Sequence, residues 1–269
     1  MTRREMMWGG LALASSAKFA TAAGSMNLAL RSRTEVFRGS DEWEPVTVQR
    51  TLEPRQCALV LCDMWDKHWC TGATTRVNAL AKKIAPVLKI ARSAGIQIIH
   101  APSDTMTFYR DAPERLAIMK LEKQTPPAAK ALTDPPLPID DSDGGCDTGE
   151  KMYKAWSRQH AEIPVMPNDF ISDKGDEIYS ALKLRGITTL FMAGVHTNMC
   201  VLNRSFAIRQ MTRWGVRCIL IRDLTDAMYD PQDKPFVSHQ RGTDLVIEHI
   251  EKYWAPSVTS DQLVRALRG

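Results

Sequence analysis

The stretch "TTLFMAGVHTNMCVL", residues 188–202, decides how this chain is read. Thr188 to Ala193 is an apolar run that suits a strand buried on both faces, Gly194 to Asn198 is a turn, and apolar residues recur at helical spacing from Asn198 to Trp214. A strand that passes through a tight turn into a helix puts Cys200 in the first helical turn, at the strand's C-terminal end. Unpaired N–H groups and the helix dipole favour a thiolate there, which suits a nucleophile. The same place also suits a small core side chain, because cysteine is among the most buried residue types.

Working outward, the alternation of strand and helix repeats. "CALVLCD" (57–63) is a short apolar run ending at Asp63. A helical stripe follows at Val77, Leu80, Ala81, Ile84, Val87, Leu88 and Ala91, with Pro86 predicted to kink it, and it stops near Gly95. "IQIIHA" (96–101) is a second strand. Later come a helix from Gly175 to Arg185 stopped by Gly186, a strand from Val216 to Arg222, and a helix from Ser238 to Tyr253. This order predicts an α/β fold: a three-layer αβα sandwich around a mainly parallel, doubly wound central sheet. Sites in such sheets lie outside the C-terminal strand ends, where Asp63, His100, Gly194 to Cys200 and Asp223 all fall. Residues 25–55 are polar and mixed and read as a lead-in linker, so the domain is expected over 56–269. Residues 102–160 break the alternation with Pro126, Pro127, Pro135, Pro136, Pro138 and the acidic run "IDDSDGGCDTG". They read as an insertion that serves as a lid or an oligomer arm.

Composition narrows the partners. The 269 residues are 44% hydrophobic and 25% charged with a formal net charge of +4, and no basic cluster interleaves with aromatics. Neither nucleic acid nor a membrane surface is indicated, which leaves a small-molecule substrate. No G-x-G-x-x-G follows the first strand and no P-loop is present, which disfavours a dinucleotide oxidoreductase. The six cysteines, Cys57, Cys62, Cys70, Cys146, Cys200 and Cys218, form no C-x-x-C pair, so neither a disulfide framework nor a zinc site is expected. The N-terminal "MTRREMMWGGLALASSAKFATAAG" places Arg3 and Arg4 before a short small-residue run ending in Ala20-Thr21-Ala22. Residues 1–24 thus resemble a twin-arginine export signal, which implies a periplasmic or exported protein, the other reading being an N-terminal arm on a cytoplasmic one.

A nucleophilic cysteine needs a proton acceptor and an oxyanion site. Asp63, at the end of an apolar strand, is the first candidate base, although an aspartate there also suits a turn cap. With "ALVLCDMW", "LRGITTLFMAGVHTNMCV", and "VRCILIRDLTDAM" followed by His239, the chain resembles the isochorismatase-like superfamily of cysteine hydrolases, which includes nicotinamidases and N-carbamoyl amide hydrolases. The resemblance spans most of residues 57–245, and its G-V-x-T-x-x-C-V signature is the specific part. It implies a triad of Asp63 as base, Cys200 as nucleophile and a lysine. "NDFISDK" offers Lys174, although the segment up to Cys200 is short and the expected Ser-Ala-Phe stands as Ser180-Ala181-Leu182; Lys67, Lys151 and Lys154 are the alternatives, and Lys174 also suits a surface residue. It further implies a cis peptide around Val195-His196 and an oxyanion hole from the backbone N–H groups of His196 and Cys200.

"MWDKHWC" after Asp63 puts Trp65, His68 and Trp69 at the expected pocket, as substrate-contacting walls or as a packed lip, and Asn198 in the turn is a further substrate contact. Asp66-x-His68 lies too close to Asp63 to match a nicotinamidase metal motif, His100 and Asp104 are little better placed, and Asp140, Asp141, Asp143 and Asp147 lack an EF-hand pattern. No metal or cofactor is therefore expected. The resemblance implies hydrolysis of a small-molecule C–N bond, amide or ureide, through a thioester, in a homo-oligomer. Isochorismatase-type ether hydrolysis and a degenerate binding protein are the alternatives.

Overall fold

The computed structural model describes residues 24–269, so the segment expected to be an export signal falls, up to residue 23, outside the described residues. In chain order the elements are β1 (Met26–Glu35), β2 (Trp43–Leu52), β3 (Cys57–Cys62), α1 (Thr71–Ser93), β4 (Gln97–Ala101), α2 (Pro113–Met119), β5 (Phe170–Ile171), α3 (Gly175–Leu184), β6 (Thr189–Val195), α4 (Cys200–Asn203), α5 (Ile208–Arg213), β7 (Arg217–Asp226), α6 (His239–Tyr253), β8 (Ser257–Val258) and α7 (Ser260–Arg268). One eight-stranded sheet has the order β2-β1-β8-β7-β6-β3-β4-β5. From β5 to β8 all neighbours are parallel, and only the β1 pairings are antiparallel.

The central strand β3 explains the layering. Ala58, Val60 and Cys62 face one core with α3, α5 and α6, while Cys57, Leu59 and Leu61 face the other with α1 and α7. A strand covered on both faces needs an unbroken apolar run, and "CALVLC" supplies it. The stripe on α1 is buried as expected, with Pro86 inside a single 23-residue helix. The sheet and its two covering layers match the sandwich expected from the sequence.

Three expectations need correction. Residues 25–55 are no linker: β1 and β2 form an antiparallel hairpin that extends the sheet, with Met26, Leu28 and Leu30 buried. Their alternation spans only five residues before the chain turns polar, and β2 lies at the sheet edge with most side chains in solvent, so the strand signal is weak. The helix expected over 198–214 is two short ones, α4 and α5. The break comes where Arg204 adopts an extended ψ of 155° and Ser205 accepts the Gly175 N–H at 3.0 Å. A Cβ on Gly175 would collide with the Ser205 backbone, so α3 and this turn fit together only through a glycine.

The third correction concerns cysteine. Cys70 and Cys146 form a disulfide, with a sequence separation of 76 and a Cα–Cα distance of 5.7 Å. Such a spacing carries no local signal; the fold alone brings α1's N-cap residue to the insertion. The chain from Lys120 to Asp169 has no helix or paired strand of its own, and its stretch 141–157 lies as a strap over the C-terminal strand ends. Ser157 ties it to Asp66 through its N–H at 2.9 Å and its Oγ at 2.6 Å, Lys154 Nζ donates to the Asp104 carbonyl at 2.8 Å, and the disulfide adds a third tie.

Candidate active site

The C-terminal ends of β3, β4 and β6 converge on Asp63 and Cys200. Asp63 is fully buried with a φ of +46°, a left-handed conformation that aspartate tolerates better than most residues. Its N–H donates to the Ala101 carbonyl at 3.1 Å, and its Oδ1 accepts the Ser103 N–H at 2.7 Å, so β4 fixes both its backbone and its carboxylate. The Cys200 thiol lies beside the same carboxylate, close enough for each to shift the other's protonation. Close approach of β6 to β3 depends on Gly194, which has a φ of +111° and would drive any Cβ into the Cys62 backbone. The Val195–His196 peptide is cis, as the resemblance implies.

The cation on Asp63 is Arg204, whose Nε donates to Oδ2 at 3.0 Å while an Nη donates to Asp104 at 3.3 Å. Lys174 holds the N-cap position of α3 with an exposed side chain, and Lys154, one of the alternatives, is bonded to the Asp104 carbonyl. The structure thus sets an arginine, and not Lys174, against Asp63. Arg204 has a helical φ of −60° and its N–H donates to the Cys200 carbonyl at 3.1 Å, so the i, i+4 relation sets its side chain on the same face as Cys200, within reach of Asp63. The sequence held that signal in the spacing from the cysteine.

The electrostatics also differ from expectation. Burial, and then the Asp63 carboxylate beside it, push the Cys200 thiol up rather than down. α4 has only four residues, too few for a dipole that would offset burial next to an anion. Burial likewise raises the Asp63 carboxyl, while Arg204, the thiol and Ser103 hold it back. The site thus sets a protonated thiol beside the Asp63 carboxyl group, to which Arg204 Nε donates at 3.0 Å. Among the described residues, the backbone N–H groups of His196 and Cys200 donate to no protein acceptor, whereas those of Thr197, Met199 and Val201 are all taken.

Cys200 opens into a cleft of about 470 Å³ lined by Leu137, Asp141, Asn198, Met199, Asn203 and Arg204. The walls expected from "MWDKHWC" lie elsewhere. Trp65 stacks on Trp156 of the strap with centroids 4.1 Å apart and planes 8° apart, and His68 lies between Trp69 and that pair. The hollow that Trp65 and His68 share with Asp63 leaves no volume for a water-sized sphere. These aromatics are therefore a packed lip, closed by a tryptophan that lies 86 residues beyond the motif in a segment without periodicity. Asn198 does line the cleft, yet its amide is occupied by protein: Nδ2 donates to Asp141 at 2.7 Å and to the Met228 carbonyl at 2.9 Å, and Oδ1 accepts the Met228 N–H at 2.8 Å. Burial lowers the ring pKa of His68 to about 4 and of His196 to about 3, so both are neutral imidazoles at pH 7.

With this geometry in place, comparison with known proteins decides the family. A model of the isochorismatase domain matches residues 57–251. The chain belongs to the isochorismatase family. Solved structures resemble this family member in fold: a cysteine hydrolase from Pseudomonas syringae pv. phaseolicola 1448A aligns at 16% identity over 81% of this chain and 94% of its own, with a TM-score of 0.53. A putative isochorismatase from Burkholderia xenovorans LB400 aligns at 16% identity over 80% and 88%, with a TM-score of 0.49. No curated protein matches the sequence significantly. Among the described residues, Cys70, Cys146 and Glu150 form the one group close enough to hold a metal ion, and two of these are joined in the disulfide.

Proposed function

We propose that this isochorismatase-family protein is a cysteine-dependent hydrolase of a small-molecule C–N bond, amide or ureide, acting through a thioester. The observation that carries the reading is the placement of the Cys200 thiol beside a buried carboxylate that pairs with Arg204, at the floor of an open cleft. As Sγ attacks the carbonyl carbon, its proton passes to Asp63, and the N–H groups of His196 and Cys200 hold the tetrahedral oxyanion. Asp63 then returns that proton to the leaving nitrogen, the C–N bond breaks, and an amine departs from a Cys200 thioester. Water adds to the thioester, giving one proton to Asp63 and from there to the departing thiolate, so the cycle ends with a carboxylic acid, an amine and the free enzyme. Arg204 keeps Asp63 ionised between these steps despite its burial and so takes the part the family gives to lysine.

The test is ammonia release from a panel of primary amides and ureides, with intact-mass detection of the acyl-enzyme after an acid quench. Turnover with an adduct on Cys200 that is absent in Cys200→Ala supports the reading. Turnover that survives Cys200→Ala, or no turnover of any C–N substrate while a vinyl ether is cleaved, overturns it.

A further inference from the structure

The cleft above Cys200 carries two charges of opposite sign, and only one is used by the chemistry. Arg204 is committed to Asp63 and Asp104. Asp141, delivered by the strap, forms the wall next to Asn198, and its Oδ2 accepts from Asn198 Nδ2 at 2.7 Å. That amide cannot swing away: Asn198 is 1% exposed and is bonded to the Met228 backbone in both directions. The Asp141 carbonyl in turn accepts the Gly144 N–H at 3.0 Å, which fixes the strap on the other side of the carboxylate. A carboxylate offers about four acceptor sites. Here a single side-chain donor fills one of them, and among the described residues Asp141 forms no ion pair. The apolar remainder of the wall, Leu137 and Met199, lowers the local dielectric and strengthens any charge placed opposite.

A rigidly held anion with spare acceptor capacity, in the same cleft as the nucleophile, selects substrates by charge. We propose that Asp141 is the specificity-determining residue of this site and that the substrate class is small amides carrying an ammonium or amidinium group within a few bonds of the scissile carbonyl. The inference rests on the hydrolase reading for its chemistry but not for its recognition. The cationic group replaces solvent on Asp141, the amide carbonyl turns toward the His196 and Cys200 N–H groups, and the leaving nitrogen faces Asp63. An uncharged analogue leaves the Asp141 carboxylate without that partner, and an anionic one meets repulsion there.

Three near-isosteric probes separate these cases: β-alaninamide (cationic), butanamide (neutral) and succinamate (anionic). Two readouts are taken on the whole protein, kcat/KM for ammonia release and protection of Cys200 from iodoacetamide. The expected order is cationic, neutral, anionic, with at least about a tenfold step between the first two. Asp141→Asn keeps an oxygen for Asn198 Nδ2 while removing the charge, and should bring the cationic-to-neutral ratio to within about threefold of unity in both readouts. A wild-type ratio at or below unity, an unchanged ratio in Asp141→Asn, or no protection by millimolar β-alaninamide would overturn the proposal. Ammonia release without charge preference would leave the hydrolase reading standing and remove this one. Protection in the expected order, lost in Asp141→Asn and unaccompanied by ammonia release, would keep the recognition site and remove the hydrolase reading for these amides.

Discussion

Replacing Asp63 with asparagine should make Cys200 more reactive toward iodoacetamide while removing hydrolysis. In the wild type the neighbouring carboxylate is, after burial, the main cause of the thiol's raised pKa. A unit charge about 4 Å away at an effective dielectric near 20 contributes roughly 4 kcal/mol, or about 3 pKa units. Removing it raises the thiolate fraction at pH 7 about a thousandfold, since that fraction is far from saturation. A less basic thiolate is a weaker nucleophile, and a Brønsted coefficient of about 0.4–0.5 takes back close to half of the gain on a logarithmic scale. The net expectation is about 30-fold faster alkylation of Cys200 at pH 7. Asparagine can still accept the Ser103 N–H that now reaches Oδ1 at 2.7 Å, so the loop should keep its place. The assay is a pH profile of alkylation between pH 6 and 10 with peptide mapping, run beside amide turnover, which should fall by at least about a hundredfold. Alkylation that is unchanged or slower in Asp63→Asn would refute the argument that the carboxylate sets the thiol's pKa.

Other expectations follow from the same geometry. Arg204→Met should raise the Cys200 thiol further and slow its alkylation, while Arg204→Lys should keep the profile nearer the wild type, read from the same pH series. The rings of His68 and His196 have folded-state values below the unfolded 6.5, so the unfolded chain binds more protons and stability falls as pH drops from 6.5 toward about 4 and 3 respectively. Each should cost about 2 kcal/mol between pH 7 and pH 5, measurable by urea unfolding, and a flat profile across that window would contradict their burial as neutral rings. Removing the disulfide with Cys70→Ser should cost up to about 4.5 kcal/mol by loop-closure entropy, and the fall in melting temperature should be matched by adding reductant to the wild type. Gly194→Ala should leave little soluble protein, because its Cβ has no room against Cys62.

Much of this protein is written in short-range pattern. "CALVLC" and "TTLFMAGV" declared two adjacent parallel strands because a strand buried on both faces has no polar alternation, and those strands carry Asp63 and Cys200 to one edge of the sheet. Asp63, Cys200 and the turn before Cys200 were legible because each is defined by its distance along the chain from a strand end. What the sequence did not disclose depends on contacts between distant segments. Arg204 follows Cys200 by one helical turn, but only the convergence of β3, β4 and β6 sets Asp63 where its guanidinium can reach it. Trp156 fills the aromatic lip, Asp141 reaches the cleft, and Cys146 meets Cys70 only because an aperiodic strap folds back across the strand ends. The thiol's raised pKa belongs to this second group as well: burial and a neighbouring carboxylate arise from the whole tertiary packing, and they outweigh the one turn of helix that the sequence alone points to.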